Sequence, residues 1–176
     1  TSHDTWEDLF LLAHQYGDMI SVHTDSRWGG SYEALRRARE MTQKPLLAKG
    51  IHETDDEVKR AIEECGANFV LVVGRIPNVY VSQCIIEPYT LDELARVPEG
   101  FRTLWNSRDL ATGGAKKESF HEARSLRKGW LCQASNIKTV SDVDPGADAV
   151  LVGTYLAEFI VSREKAGYMQ NKTPSF

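Results

Sequence analysis

The 176-residue chain is short of cysteine, of basic charge and of long apolar runs. Its three cysteines, Cys65, Cys84 and Cys132, are odd in number and far apart, with no zinc-ligand spacing. Burial as small apolar side chains in a reducing compartment is the expectation for them. The histidines (His3, His14, His23, His52, His121) are scattered, and none forms a two-histidine helix motif. Surface or packing roles are expected of them, and only His23 stands apart, because it falls in a strand-end segment. A net charge of −4 disfavours broad nucleic-acid binding, which rests on cationic neutralisation of phosphates. No apolar run approaches the roughly 20 residues of a membrane span. No basic, apolar and small-residue leader pattern opens the chain. The expectation is a cytoplasmic protein with neither nucleic acid nor membrane as partner.

What is present is a rhythm of short apolar runs separated by polar segments of helical spacing. The strand candidates are Asp18 to Thr24, Pro45 to Lys49, Asn68 to Gly74, Ser82 to Glu87, Phe101 to Asn106, Trp130 to Ala134 and Asp148 to Val152. Runs this uniformly apolar fit a parallel sheet covered on both faces. Between them, Thr5 to Tyr16 places Trp6, Leu9, Phe10 and Ala13 on one helical face, and Ser31 to Met41 does so with Tyr32, Leu35 and Ala38. Thr54 and Asp55 can cap a helix reaching Cys65, with Val58, Ile62 and Cys65 inward. Gly66-Ala67 and Gly146-Ala147 each precede a strand, as helix-ending glycines do. The alternation predicts βαβ units, and so an α/β fold. It breaks twice. Gly74 to Ser82 is too short for a crossover helix, so the chain either returns extended or turns a hairpin; the extended return is favoured, since it keeps Glu87 with the other polar strand ends. Val143 to Ala147 leaves room for a short helix at most. Residues 1–164 read as one domain and 165–176 as a tail, with Gly113-Gly114 marking a mobile loop.

The chemistry collects where strands end. Ser21, His23, Thr24 and Asp25 come from the first, Lys49 from the second, Arg75 from the third and Glu87 from the fourth. Asn106 and Arg108 follow the fifth, Ser135 and Asn136 the sixth, Gly153 and Thr154 the seventh. In parallel α/β folds that edge holds ligands. Each residue taken alone also suits a loop or a cap. A lysine at a partly desolvated strand mouth, such as Lys49, can donate a proton to a leaving oxygen. Glu87 can stabilise developing positive charge. Asn106 offers a neutral donor and acceptor, and Arg108 a planar fork for a carboxylate. Ser21 and Arg75 complete the candidate substrate-binding set. Ser135, Asn136, Gly153 and Thr154 suit phosphate, held by backbone N–H groups at the last two strands.

In order along the chain, several stretches resemble the indole-3-glycerol-phosphate synthase family of tryptophan biosynthesis. They are Ser21-Val22-His23-Thr24-Asp25, Gly30 to Leu35, Pro45-Leu46-Leu47-Ala48-Lys49, Ile85-Ile86-Glu87, Asn106-Ser107-Arg108-Asp109-Leu110 and Ala147 to Gly153. The resemblance covers roughly residues 5–160. It implies a TIM-barrel-like (β/α)8 fold, here truncated to about seven parallel strands with the family's first strand missing. It also implies a carboxy-lyase acting on 1-(2-carboxyphenylamino)-1-deoxyribulose 5-phosphate, by ring closure with loss of carbon dioxide and water, without metal or organic cofactor. Lys49 would be the general acid, Glu87 a charge stabiliser and Asn106 a substrate-orienting group. Arg108 would lie by the anthranilate, and Ser135, Gly153 and Thr154 by the phosphate.

The chain also departs from the family pattern. Lys49-Gly50-Ile51 stands where Lys-Asp-Phe is usual, and Ala134 where the sixth strand ends in a catalytic glutamate; Gln133 beside it points the other way in a strand. A lysine and a glutamate belong to the missing first strand. These departures set a second expectation beside the lyase: a catalytically impaired relative that binds a phosphorylated ligand or serves as a scaffold. An open sheet edge, if present, invites association with another chain.

Overall fold

A computed structural model describes residues 6–109 and 112–167. Seven strands follow one another in sheet order: β1 (Ile20–His23), β2 (Leu46–Lys49), β3 (Phe69–Val73), β4 (Cys84–Glu87), β5 (Arg102–Asn106), β6 (Leu131–Ala134) and β7 (Ala149–Leu151). They are all parallel, with helices between them, which makes the fold α/β and TIM-barrel-like but truncated. The helices are α1 (Trp6–Tyr16), α2 (Tyr32–Met41), α3 (Asp55–Lys59), α4 (Leu91–Arg96), α5 (Phe120–Leu126) and α6 (Leu156–Gly167). Every expected strand is found, trimmed by one or two residues at its ends. Among the described residues no helix is long and apolar enough to cross a membrane.

Side-chain hydroxyls start the helices, at Thr54 as anticipated and at three further positions. Ser31, Thr54, Thr90 and Ser119 each accept an N–H from the first turn, and Ser119 shares a reciprocal box with Glu122. The parallel β4 confirms the extended return from β3. The ten residues between β3 and β4 leave room only for a bend and a single 3₁₀ turn at Val81–Gln83. Likewise, a 3₁₀ turn at Val140–Asp142 is all that precedes β7.

Some expectations need correction. Leu9 is 44% exposed, and Phe10 alone of α1 is buried. After α3 the chain widens into a π-helical turn, Arg60–Glu64, and Ala61 rather than Ile62 joins Val58 and Cys65 in the core. At Gly113-Gly114 the backbones of Asp109 and Gly114 are hydrogen-bonded, and Arg108 is bridged to Ala115. α6 runs to Gly167, so the first residues of the supposed tail are helical. Thr5, Leu110 and residues 168–176 lie outside the described residues.

Residues 1–86 and 87–176 form two compact units, each with its own core. In the first, Leu35 and Ala38 of α2, Val58 of α3, Ala61 of the turn after it, and Leu46, Val70 and Val72 of the strands are all fully buried. In the second, Trp105, Leu131 and Val150 share a cluster with Leu94, Phe120, Ile137 and Phe159. Side chains alternate across a strand. Asn106, Ala134 and Leu151, which are in register, therefore take the face opposite to Trp105, Gln133 and Val150.

Both units are locked by the same arginine clamp, which sequence reading missed. Arg39 on α2 donates to the carbonyls of Thr42, Lys44 and Gly66 and to Asn68 Oδ1. Arg124 on α5 donates to the carbonyls of Arg127, Gly129 and Gly146 and to Asp148 Oδ2. In each case the same side-chain oxygen also accepts a strand N–H, from Leu46 at 2.9 Å or Leu131 at 2.8 Å. The visible signal is Ala38-Arg39 followed by Gly66-Ala67-Asn68, repeated as Ala123-Arg124 followed by Gly146-Ala147-Asp148. Only the Gly-Ala pairs were noticed, as helix ends.

Candidate functional site

The second unit gathers Glu87, Asn106 and Ser135 from the ends of three successive strands. Asn106 is the hub. Its Oδ1 accepts from Ser135 Oγ at 2.6 Å and from the Arg108 backbone N–H at 3.0 Å. Both carbonyl lone pairs are thereby used. Its Nδ2 points at Glu87 Oε2, 3.5 Å away. Asn106 is thus oriented to offer a donor to a ligand, rather than the donor and acceptor expected of a free amide. Glu87 is 4% exposed, a carboxylate held out of bulk water. Ala134, where the resembled family has a glutamate, lies beside Asn106 in register and is buried.

Ser135 and Asn136 both adopt positive φ, +68° and +58°. Two consecutive non-glycine residues in the left-handed region are uncommon, and such backbone concentrates at ligand-binding sites. It turns the chain sharply out of β6. Gly153 and Thr154 are exposed after β7 and lead into α6; a side chain on Gly153 would meet no atom within 4 Å. Lys138 Nζ sits 4.8 Å from the centre of the Tyr155 ring, linking the loops after β6 and β7. Arg108 is exposed.

Lys116, absent from the sequence expectations, is half-buried with its ammonium 4.2 Å from the centre of the Trp105 ring. Burial lowers its pKa, while Glu87, Asp109, Glu118 and Glu93 pull it back up. Its signal in the sequence was weak: one lysine of a Lys116-Lys117 pair in a loop. A groove of about 460 Å³ opens here, lined by Lys116, Ser119, Phe120, Gln133, Asn136 and Val143 among others. Neither Glu87 nor Asn106 lines it, so this groove is separate from the Asn106 hub.

In the first unit, Lys49 is the register partner of His23, and Ser21 that of Leu47. Register partners in a parallel pair share a face, so Ser21, His23 and Lys49 lie on one side of the sheet. His23 Nδ1 is buried with no hydrogen-bond partner among the described residues. Burial and then the Lys49 charge bring the His23 pKa down to about 4, with Asp25 opposing. Gly30 lies hard against His23, where any Cβ would meet the His23 carbonyl oxygen at 2.3 Å, and Ser31 N–H donates to that oxygen. The turn after β1 therefore fixes the position of this histidine.

Just beyond Lys49, Gly50 makes room for a buried pair. His52 Nδ1 donates to the Leu71 carbonyl at 2.5 Å, which leaves Nε2 to accept from Thr24 Oγ1 at 2.9 Å. A Cβ on Gly50 would come within 2.6 Å of Thr24 Oγ1. The aspartate usual in the resembled family does not fit beside this pair. Arg75 ties the end of β3 to its surroundings through the His52 carbonyl at 2.9 Å and Asp55 at 2.7 Å, and its buried Nη2 has no partner among the described residues. Cys65, Cys84 and Cys132 are buried free thiols, and burial raises the Cys84 pKa to about 11.

Half-buried His23 and buried His52 are thus both held neutral, desolvation being the first cause for each. The consequence for stability follows from proton linkage. An unfolded histidine binds its proton near pH 6.5, whereas folded His23 resists until about pH 4. Stability is therefore complete above pH 6.5 and falls as the pH drops from there to 4. After discounting for partial solvent access, the loss from His23 is on the order of 1–2 kcal/mol. Denaturant melts from pH 7 to pH 4 should show this decline, and His23→Leu should flatten it; an identical slope in the variant would contradict the assignment.

Compared with models of known protein families and with curated proteins, the chain gives no match.

Proposed function

We propose that the chain is an indole-3-glycerol-phosphate-synthase-like carboxy-lyase acting on 1-(2-carboxyphenylamino)-1-deoxyribulose 5-phosphate. The observation that carries this reading is the Asn106 hub, an amide aimed by Ser135 and Arg108 at a buried carboxylate, Glu87. Such an arrangement costs burial of a carboxylate and yields an oriented donor beside a fixed negative charge, as an anchored hydroxylated substrate with developing cationic character requires. In this reading Lys49 is the general acid, Glu87 the charge stabiliser and Asn106 the donor that orients substrate. Ser21, Arg75 and Arg108 contribute binding, with the unpartnered Arg75 Nη2 suited to an anionic group. Ser135, Asn136, Gly153 and Thr154 take the phosphate.

A second reading, a phosphorylated-ligand binder without turnover, is favoured by one observation. Ala134 occupies the position beside Asn106 where the family's second carboxylate would stand. Both readings meet in one experiment. The chain is incubated with the substrate, indole fluorescence reports product, and calorimetry reports binding. Product above the uncatalysed background is the expected result. Binding without product selects the second reading, and neither binding nor product overturns both.

A further inference from the structure

We propose that His23 is a further catalytic residue, paired with Lys49 so that the two handle protons as one device. The proposal deepens the lyase reading and rests on it. The two residues are register partners on one face of adjacent strands. The backbone of His23 is held by the turn through Gly30 and Ser31. Its Nδ1 is buried and lacks a hydrogen-bond partner among the described residues. An orphaned buried nitrogen is costly to maintain unless something transient uses it. The neighbours that set its charge are Lys49 on β2, which favours the neutral ring, and Asp25 at the exit of β1, which opposes.

The chemistry leaves a place for such a group. In the substrate an aryl nitrogen carries a methylene carbon joined to a ketone. Ring closure forms a bond from the carboxylate-bearing ring carbon to the ketone carbon, and the ketone oxygen takes a proton from the Lys49 ammonium. The bond to the carboxylate then breaks, carbon dioxide leaves, and its electron pair restores the aromatic ring. Solvent reprotonates Lys49. The new hydroxyl departs as water with a second proton from Lys49, while the methylene carbon loses a proton and its C–H electron pair becomes the ring double bond. His23 accepts that proton. A buried imidazolium beside an amine is a strong acid, so it passes the proton on to the Lys49 amine. Both groups are reset, and one proton is consumed per turnover, matching the carboxylate lost as carbon dioxide.

The test has two readouts. Ring resonances of His23 are titrated in the full chain and in Lys49→Met. The expected result is a His23 pKa well below 6.5 that moves upward when the ammonium is gone; an unmoved pKa overturns the pairing whether or not the chain is a lyase. Turnover is then measured for His23→Gln. The kcat should fall about 10²-fold or more with KM little changed. A substrate deuterated at the methylene carbon should show a larger isotope effect in the variant, because proton removal has become slower. Unchanged kcat and isotope effect would overturn the catalytic role. Absence of product with the unaltered chain would instead overturn the lyase reading, and with it the role in turnover, while the titration still decides the pairing.

Discussion

If the chain is the proposed lyase, replacing Lys49 with alanine should lower turnover of the substrate by about 10²–10⁴-fold, the usual contribution of a positioned general acid. The loss should appear in kcat, with KM close to unchanged, because proton donation to the departing oxygen is realised only in the transition state. Arginine at this position should not restore the rate, since a guanidinium does not release its proton at neutral pH. The variant should remain folded. Lys49 ends β2 and is only half-buried, whereas Leu46 and Ala48 of the same strand are wholly buried and carry its share of the core. Circular dichroism checks the fold, and fluorescence of the indole product checks the rate. A kcat within about threefold of the original would remove Lys49 from the mechanism.

Replacing Arg124 with methionine should lower the unfolding free energy by about 3–5 kcal/mol. The aliphatic stem is kept, so the change reports on the guanidinium alone. That group holds three backbone carbonyls and Asp148, and removing it strands several acceptors at once, each worth about 1–3 kcal/mol. Arg39→Met should cost a similar amount in the first unit, where three backbone carbonyls and the Asn68 amide oxygen are held. Lysine at either position should recover little, because a point charge cannot reach all four partners. Arg36 provides the contrast. It makes exposed ion pairs with Glu33 and Glu64, and its removal should cost no more than about 1 kcal/mol. Denaturant unfolding of the three variants checks the ranking. Equal effects at Arg124 and Arg36 would mean that the clamp does not hold the loops together.

The sheet was legible because its strands are nearly continuous apolar runs, and burial on both faces demands that composition wherever the strand sits. The helix start at Thr54 was legible for a local reason as well: its hydroxyl satisfies an N–H group only three residues away, as those of Ser31, Thr90 and Ser119 also do. The side of a helix that ends up buried was less secure. Val58 with Ile62 and Val58 with Ala61 fit the helical period equally well, and the π-helical turn decided for Ala61. The Asn106 hub was half visible. The residues were recognised from their strand-end positions, but the direction of the amide depends on Ser135, 29 residues away in sequence. Lys116 and the arginine clamps were missed because each draws its partners from loops that sequence spacing does not relate.

Alternating apolar strands and capped helices in the chain by themselves determined a parallel α/β fold, because backbone hydrogen bonding and apolar burial act over short stretches. They also determined which residues come to the strand ends. Tertiary structure alone decided that His23 lies beside Lys49, that Asn106 presents a donor and not an acceptor, and that His52 takes the room Gly50 leaves. Those outcomes turn on register and on competition for hydrogen-bond partners between distant segments, and neither is written in the order of residues along one strand.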